Sequence, residues 1–309
     1  MVTRLLLRLS GLYSPDVLTT AYRWEKPVDA LDGKDIVLFA SYAPAGALRP
    51  YTQAYVSAFR DEGFFVVLIL IADDPNVVVN HSACGGADAI LVRGNAGFDF
   101  AAWATALRLL PSLWNARMIV LANDSVFGPF SGFSSLVRRL RHSVGDIVGL
   151  TESAQIRRHL QSYFFAMKTG ALRSERIRHF WKRVRNLPSK RAVINAYEVQ
   201  FLAYAERAGL RSEALFPLQL PRRRSRRAKS PTHDYWRKLI ATGFPFMKVD
   251  LLRDTPVDTT GWPEFLREHG VDIDPIVKHL LTVAPNSEAL VALKGLDANR
   301  EVDHGTRAG

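Results

Sequence analysis

A single cysteine, Cys84, stands in 309 residues. That excludes a disulfide framework and any cysteine-built zinc cluster, and it fits a reducing compartment. Long apolar runs are missing too. The longest, Phe64 to Ala72, is far short of the roughly 20 residues that a membrane-spanning helix needs. Met1 to Tyr13 carries leucines, but Arg8 interrupts the run and no small-residue cleavage site follows, which argues against a signal peptide. As a helix it would put Leu5, Leu9 and Leu12 on one face, for packing or for contact with a membrane surface. There is no G-x-x-x-x-G-K-[ST] loop, no G-x-G-x-x-G after the first strand, no H-E-x-x-H and no G-x-S-x-G. These absences weigh against a P-loop nucleotidase, a dinucleotide oxidoreductase, a zincin and an α/β-hydrolase.

Acid is in short supply: 41 Lys and Arg against 30 Asp and Glu leave a net charge of +11. Such a surplus points to an anionic partner, whether nucleic acid, anionic lipid or a phosphorylated substrate. Part of it is concentrated in R-R-R-S-R-R-A-K (222–229), six basic residues with no acid among them. Apolar residues make up 48 %, enough for a substantial core in one large domain or two modest ones.

Strand and helix patterns alternate from Asp35 onward. Strands are predicted at Asp35–Ser41, Phe64–Ile71, Ala89–Val92, Met118–Ala122 and Asp146–Leu150, and helices at Pro50–Glu62, Phe98–Leu110 and Ser131–His142. Continuous apolarity over strand length implies strands covered on both faces, hence an α/β fold with a mostly parallel sheet flanked by helices. Beyond about residue 155 the pattern changes. A strand is predicted at His159–Met167, beyond the sheet, followed by helices at Ser174–Asn186 and Lys190–Ala208. Short helical pieces run from Pro231, and the tail beyond Ala298 reads as loose. The predicted division is an N-terminal extension (1–34), a main domain (35–253, with halves 35–155 and 156–253) and a helical C-terminal segment with the tail (254–309).

Three places carry chemistry. In M-I-V-L-A-N-D-S-V-F-G-P-F (118–130) a buried strand runs into Asn123-Asp124-Ser125. Ligands of open α/β sheets bind beyond the carboxyl ends of the strands. A carboxylate there can hold a divalent cation, with Asn and Ser adding oxygens, and so neutralise a diphosphate; equally, it can form an Asx turn. In R-G-N-A-G-F-D (93–99), Gly94 and Gly97 would let backbone approach a ligand, and Asn95 and Asp99 could bond a ribose or base; a plain strand-to-helix turn is the other reading. In Y-E-V-Q-F (197–201), Glu198 sits among Val193, Ile194, Val199, Phe201 and Leu202, as a base or as an ordinary helix glutamate.

Six ordered stretches resemble the rhamnan-synthesis F family of bacterial polysaccharide glycosyltransferases. They are R-G-N-A-G-F-D-F (93–100), V-L-A-N-D-S-V-F-G-P (120–129), H-L-Q-S-Y-F-F (159–165), Y-E-V-Q-F (197–201), S-P-T-H-D-Y-W (230–236) and G-F-P-F-M-K (243–248). The chain is similar, more distantly, to inverting GT-A enzymes. The resemblance implies a GT-A-like, Rossmann-type sheet with a helical C-terminal part. It puts Asn95, Gly97, Asp99, Asn123, Asp124 and Lys248 at the nucleotide-sugar donor. It makes Asp124 the acidic member of a degenerate D-x-D motif for Mg or Mn, with Ser125 and His233 as further candidate ligands, and Glu198 the base. The motif holds one carboxylate rather than two, which implies a loosely held cation, and Ser230 stands where the closer family has Asn. His159, Gln161 and Ser162 would face the acceptor. Trp103 and Trp236 read as core.

The implied reaction is transfer of a sugar, rhamnose or another deoxyhexose, from a nucleotide diphosphate to a lipid-linked or growing cell-surface polysaccharide. The basic run 222–229 would then meet the anionic inner face of the cell membrane from the cytoplasm, at about 1 kcal/mol per basic residue. Nucleic acid is not the expected partner, because no nucleic-acid module surrounds the run. Two alternatives stand beside this reading: a GT-A-like nucleotidyltransferase, with a Gly-rich basic loop after the first strand, and a non-catalytic basic scaffold for membrane or nucleic acid.

Overall fold

The computed structural model describes residues 14–28, 31, 33–217, 230–253, 257–291 and 293. The helix expected at Met1–Tyr13, the basic run 222–229 and the tail beyond Ala298 lie outside them. The chain forms two compact units, Met1–Asp124 with Ser134–Pro231, and Ser125–Phe133 with Thr232–Gly309. The chain thus leaves the first unit directly after Asp124 and returns at Ser134.

The first unit is built on a sheet of β1 (Tyr22–Lys26), β2 (Asp35–Tyr42), β3 (Phe65–Ala72), β4 (Ala89–Gly94), β5 (Met118–Asn123), β7 (Ile147–Gly149), β10 (Phe164–Lys168) and β11 (Ser212–Ala214). Among the described residues its order is β1-β4-β3-β2-β5-β10-β7-β11. The central four, β4-β3-β2-β5, are parallel, as their unbroken apolarity predicts. All but one residue of β2 and all but one of β3 are buried. Strand order reverses between β2 and β5, because β3 and β4 follow β2 on one side and β5 lies on the other. This is a topological switch point, where a crevice opens at the carboxyl ends of the strands.

Helices cover both faces. Phe98–Leu109 is buried from Phe100 to Leu107. Phe100 stacks on Trp181 at 5.7 Å and meets Trp103 edge-on at 5.4 Å. Trp103 is therefore core, as expected.

Two expectations are corrected. The stretch His159–Met167 is not one strand beyond the sheet. β9 (His159–Leu160) pairs with β8 (Glu152–Ser153) in a separate two-stranded ladder, and β10 enters the main sheet antiparallel between β5 and β7. Phe164 to Met167 are buried, and a strand apolar on both faces is stable only inside a sheet. The helix expected over Lys190–Ala208 is interrupted. A π-turn, Ile194–Glu198, separates Lys190–Val193 from Val199–Arg207. Such turns are frequent at functional sites.

In the second unit, β6 (Val126–Phe127) pairs antiparallel with β12 (Met247–Lys248). The helices Trp236–Ala241, Trp262–Glu268 and Asp274–Val283 supply the expected helical C-terminal part. Trp262 is fully buried and donates to the Ala289 carbonyl at 3.0 Å. Trp236 is also core.

Candidate functional site

At the switch point the four parallel strands each end on a polar residue: Tyr42 on β2, Asp73 just past β3, Asn95 just past β4, and Asn123-Asp124 on β5. Hydrogen bonds link them. The Tyr42 hydroxyl donates to Asp73 Oδ2 at 2.6 Å, and Asn95 Nδ2 donates to Asp73 Oδ1 at 2.9 Å. Those two donors, Tyr42 first, hold the exposed Asp73 carboxyl below its usual range. Ser41 Oγ and the Tyr42 amide donate to Asp124 Oδ2 at 2.7 and 3.1 Å. Desolvation pushes the Asp124 carboxyl up, against the opposing effects of Ser41, the Arg49 charge and the Tyr42 amide. A half-buried carboxylate with too little compensating charge favours the arrival of a cation.

The Asn95 loop is held from behind by Arg93, which is fully buried. Its guanidinium donates to Thr105 Oγ1 at 2.9 Å, to the Gly94 and Ala96 carbonyls at 3.0 and 2.5 Å, and to Asn186 Oδ1 at 2.6 Å. Burial lowers its pKa to about 10. Gly97 has a φ of +74°, and a Cβ there would meet Ala101 Cβ at 2.6 Å and Asn186 Cα at 2.7 Å. The backbone approach that Gly97 permits is therefore to Asn186, within the protein. Asp99 is likewise engaged internally: Oδ1 accepts from the Phe100 amide at 2.9 Å and Oδ2 from Asn123 Nδ2 at 2.8 Å. Its carboxyl is pushed up to about 6, first by burial and then by the Glu198 charge.

Glu198 ends the π-turn, its side chain 14 % exposed. Its Oε1 accepts from the Ser162 amide at 3.1 Å and lies 3.8 Å from His159 Nε2. His159 Nδ1 lies 2.8 Å from the Arg157 carbonyl; a carbonyl only accepts, so Nδ1 carries a proton. The structure thus brings Glu198, His159 and Ser162 together. Gln161 points elsewhere: its Oε1 accepts from Thr151 at 2.7 Å, and its Nε2 donates to Ser230 Oγ at 2.6 Å. Both ends of this buried amide are engaged within the protein.

The other candidates belong to the second unit. Lys248 Nζ donates to Ser125 Oγ at 3.1 Å. His233 Nε2 lies 3.0 Å from Asp250 Oδ1, and its buried Nδ1 has no hydrogen-bond partner among the described residues. Among the described residues no cluster of three or more His, Cys, Asp or Glu suits a metal. Asp124 can offer a cation one carboxylate and no ready-made cage.

Residues that sequence reasoning missed are Ser41, Tyr42 and Asp73, at the ends of β2 and β3, together with Asn186. The strand-end rule that singled out Asp124 applies equally to Tyr42 and Asp73. Asn186 had no such signal.

A family model described as rhamnan synthesis protein F matches residues 79–307. Virulence protein VirA of Vibrio anguillarum is 26 % identical over 264 residues, covering 76 % of this chain and 84 % of that protein. An uncharacterized protein, y4gN, of Sinorhizobium fredii is 25 % identical over 200 residues, covering 62 % of this chain and 50 % of that one. Among solved structures, a cytidylyltransferase from Leptospira borgpetersenii aligns with a TM-score of 0.36 at 12 % identity, over 77 % of this chain and 95 % of that one. A mannosyltransferase from Pyrobaculum calidifontis in complex with GDP-Man and Mn2+ aligns with a TM-score of 0.35 at 14 % identity, over 98 % and 86 %.

Proposed function

The chain belongs to the rhamnan synthesis protein F family, and from that premise we propose that it is a glycosyltransferase. In this reading it moves a sugar, rhamnose or another deoxyhexose, from a nucleotide-diphosphate donor to a lipid-linked or growing cell-surface polysaccharide. The observation that carries the reading is the row of linked polar residues at the switch point. Tyr42, Asp73 and Asn95 offer acceptors and donors to a nucleoside, and Asp124 stands beside them.

Glu198 is the proposed base. It takes the proton of the acceptor hydroxyl as that oxygen bonds to the anomeric carbon and the bond from that carbon to the diphosphate breaks, with inversion. The Ser162 amide holds the Glu198 carboxylate in place, and His159 faces the same oxygen. Asp124 would hold Mg or Mn, with Ser125 and His233 as further candidates; the ion's contribution when bound is to neutralise the leaving diphosphate. Lys248 is the proposed phosphate contact in the second unit. Asn123, Asp99 and Gly97 shape the donor side from behind, through the internal contacts described above.

The nucleotidyltransferase alternative needs an open phosphate loop after β2. Here that segment is folded on itself: the Gly46 amide bonds the Ala43 carbonyl at 3.0 Å, and the Gly46 carbonyl accepts from Asn80 at 2.9 Å. Among the described residues no helix is long and apolar enough to cross a membrane. We place the enzyme at the cytoplasmic face of the membrane, held peripherally through 222–229.

A thermal-shift screen against sugar nucleotides, with and without manganese, tests the reading. A specific donor raises the melting temperature by mass action. A panel in which no sugar nucleotide shifts the transition sinks it.

A further inference from the structure

A second charged cleft lies at the other end of the same sheet. Asp35 and Met118 open β2 and β5, whose far ends carry Tyr42 and Asn123. At the usual rise per residue, β5 puts the two ends about 17 Å apart. Around the amino ends is a cleft of about 550 Å³, lined by Arg117, Arg141, Lys168, Arg211, Asp35 and Asp146 among others. Four cations face two lining carboxylates, and Glu213, which accepts from the lining Ser143 at 2.5 Å, leaves a local surplus of one positive charge.

The carboxylates are already engaged. The Asp35 side chain, 2 % exposed, accepts from Arg117 Nε at 2.7 Å and Arg141 Nε at 3.0 Å. Burial pushes its carboxyl up, but the two arginines outweigh that and hold it below the usual range. Asp146 Oδ2 accepts from the Arg211 amide at 2.9 Å, and its Oδ1 would lie 2.1 Å from a Cβ on Gly170. Only glycine leaves room for that carboxylate.

The cations are not saturated. Among the described residues Arg117 commits only Nε, to Asp35, and its side chain is 66 % exposed. The Arg211 guanidinium is 70 % exposed and makes no hydrogen bond among the described residues, its Nε standing 3.9 Å from Asp146. Lys168 Nζ donates to the Arg141 and Ser143 carbonyls, which leaves one ammonium proton. Burial holds that ammonium below the usual lysine range, against the pull of Glu213, Asp35 and Asp146. An oxyanion entering at the mouth would meet the terminal nitrogens of Arg117 and Arg211, which reach past their Asp35 and Asp146 partners, and the remaining Lys168 proton.

We infer that this cleft binds a phosphoryl group, either on a free diphosphate or on the headgroup of an anionic lipid. Guanidinium forks match the paired oxygens of a phosphoryl group, and the local charge is net positive. The site is separate from the strand-end site, so its occupancy does not require the transfer reaction.

The test uses the full chain and two variants. Arg117→Gln with Arg211→Gln removes both forks. Arg211→Glu reverses one charge and leaves the Asp35 pairs untouched, so it carries the test should the double variant fail to fold. Calorimetry with inorganic diphosphate is expected to show one more bound equivalent in the natural chain than in the double variant, or an affinity at least tenfold weaker in Arg211→Glu. Flotation with phosphatidylcholine vesicles, with and without phosphatidic acid, separates the sources. Capture lost in the variants assigns a lipid headgroup. Capture retained while diphosphate binding is lost assigns a free phosphate. Isotherms and flotation that neither variant changes overturn the site, as does a natural chain that binds neither probe.

Discussion

Asn123, the last residue of β5, donates a 2.8 Å hydrogen bond to Asp99 in the first turn of the helix Phe98–Leu109. That bond ties a strand end to a helix start across the switch point. It also divides the work of two adjacent residues. Asn123 braces the floor, and Asp124 is held by Ser41 and the Tyr42 amide.

Glu198→Gln keeps an oxygen to accept from the Ser162 amide, so the fold should survive. It removes the basic oxygen. Transfer should fall about 10²–10⁴-fold, the usual contribution of a positioned base, while donor affinity stays within about twofold of the natural chain. Single-turnover kinetics alongside donor titration make the distinction. Transfer at the natural rate would end the base assignment.

Asp124→Asn retains an acceptor for Ser41 but removes the charge. Donor affinity in the presence of manganese should weaken tenfold or more, about 1.4 kcal/mol. The natural chain should lose turnover in chelator and recover it with added metal. Turnover indifferent to chelator would point to a diphosphate clamp made by protein groups alone.

Arg93→Met keeps the length of the side chain and deletes every donor. The Ala96 carbonyl and Asn186 Oδ1 then lose their guanidinium partner, at about 1–3 kcal/mol for each buried group left unsatisfied. Urea unfolding should show a loss of several kcal/mol in total. A loss below about 1 kcal/mol would mean that the Asn95 loop is held by something other than Arg93.

Asp99 makes stability depend on pH in an uncommon direction for a carboxylate. Its folded pKa of about 6 lies above the unfolded value of about 3.9. The folded state therefore binds the proton more tightly. This contribution is fully present below about pH 4 and is lost as pH rises through about 6, an effect on the order of 3 kcal/mol. Asp99→Asn should remove that slope, so the stability difference between natural chain and variant should shift steadily across pH 4 to 7 in urea titrations. Parallel curves would show that Asp99 does not titrate in this window.

Much of the architecture was legible beforehand because its signals are local. The apolar runs that became β2, β3 and β5 announce strands buried on both faces, and the alternation with helices announces a parallel sheet. The fate of His159–Met167 was not legible, because apolar content cannot say whether a strand joins a sheet or in which direction. Nor can helical periodicity show the π-turn that carries Glu198, since one extra residue in a turn leaves the apolar face nearly intact.

The candidate site divides along the same line. Sequence alone determined that Asp124 follows a buried strand and that Asn95 follows another, since chain order and burial are enough for that. Only the tertiary structure decided what each side chain touches. Ser41 meets Asp124 from 83 positions away, Arg93 meets Asn186 from 93, and Asn186 reaches the Asp16 carbonyl from 170. Contacts at such separations leave no periodic trace in the chain. They exist because closing the sheet brings the strand ends together, and buried polar groups must then find partners there.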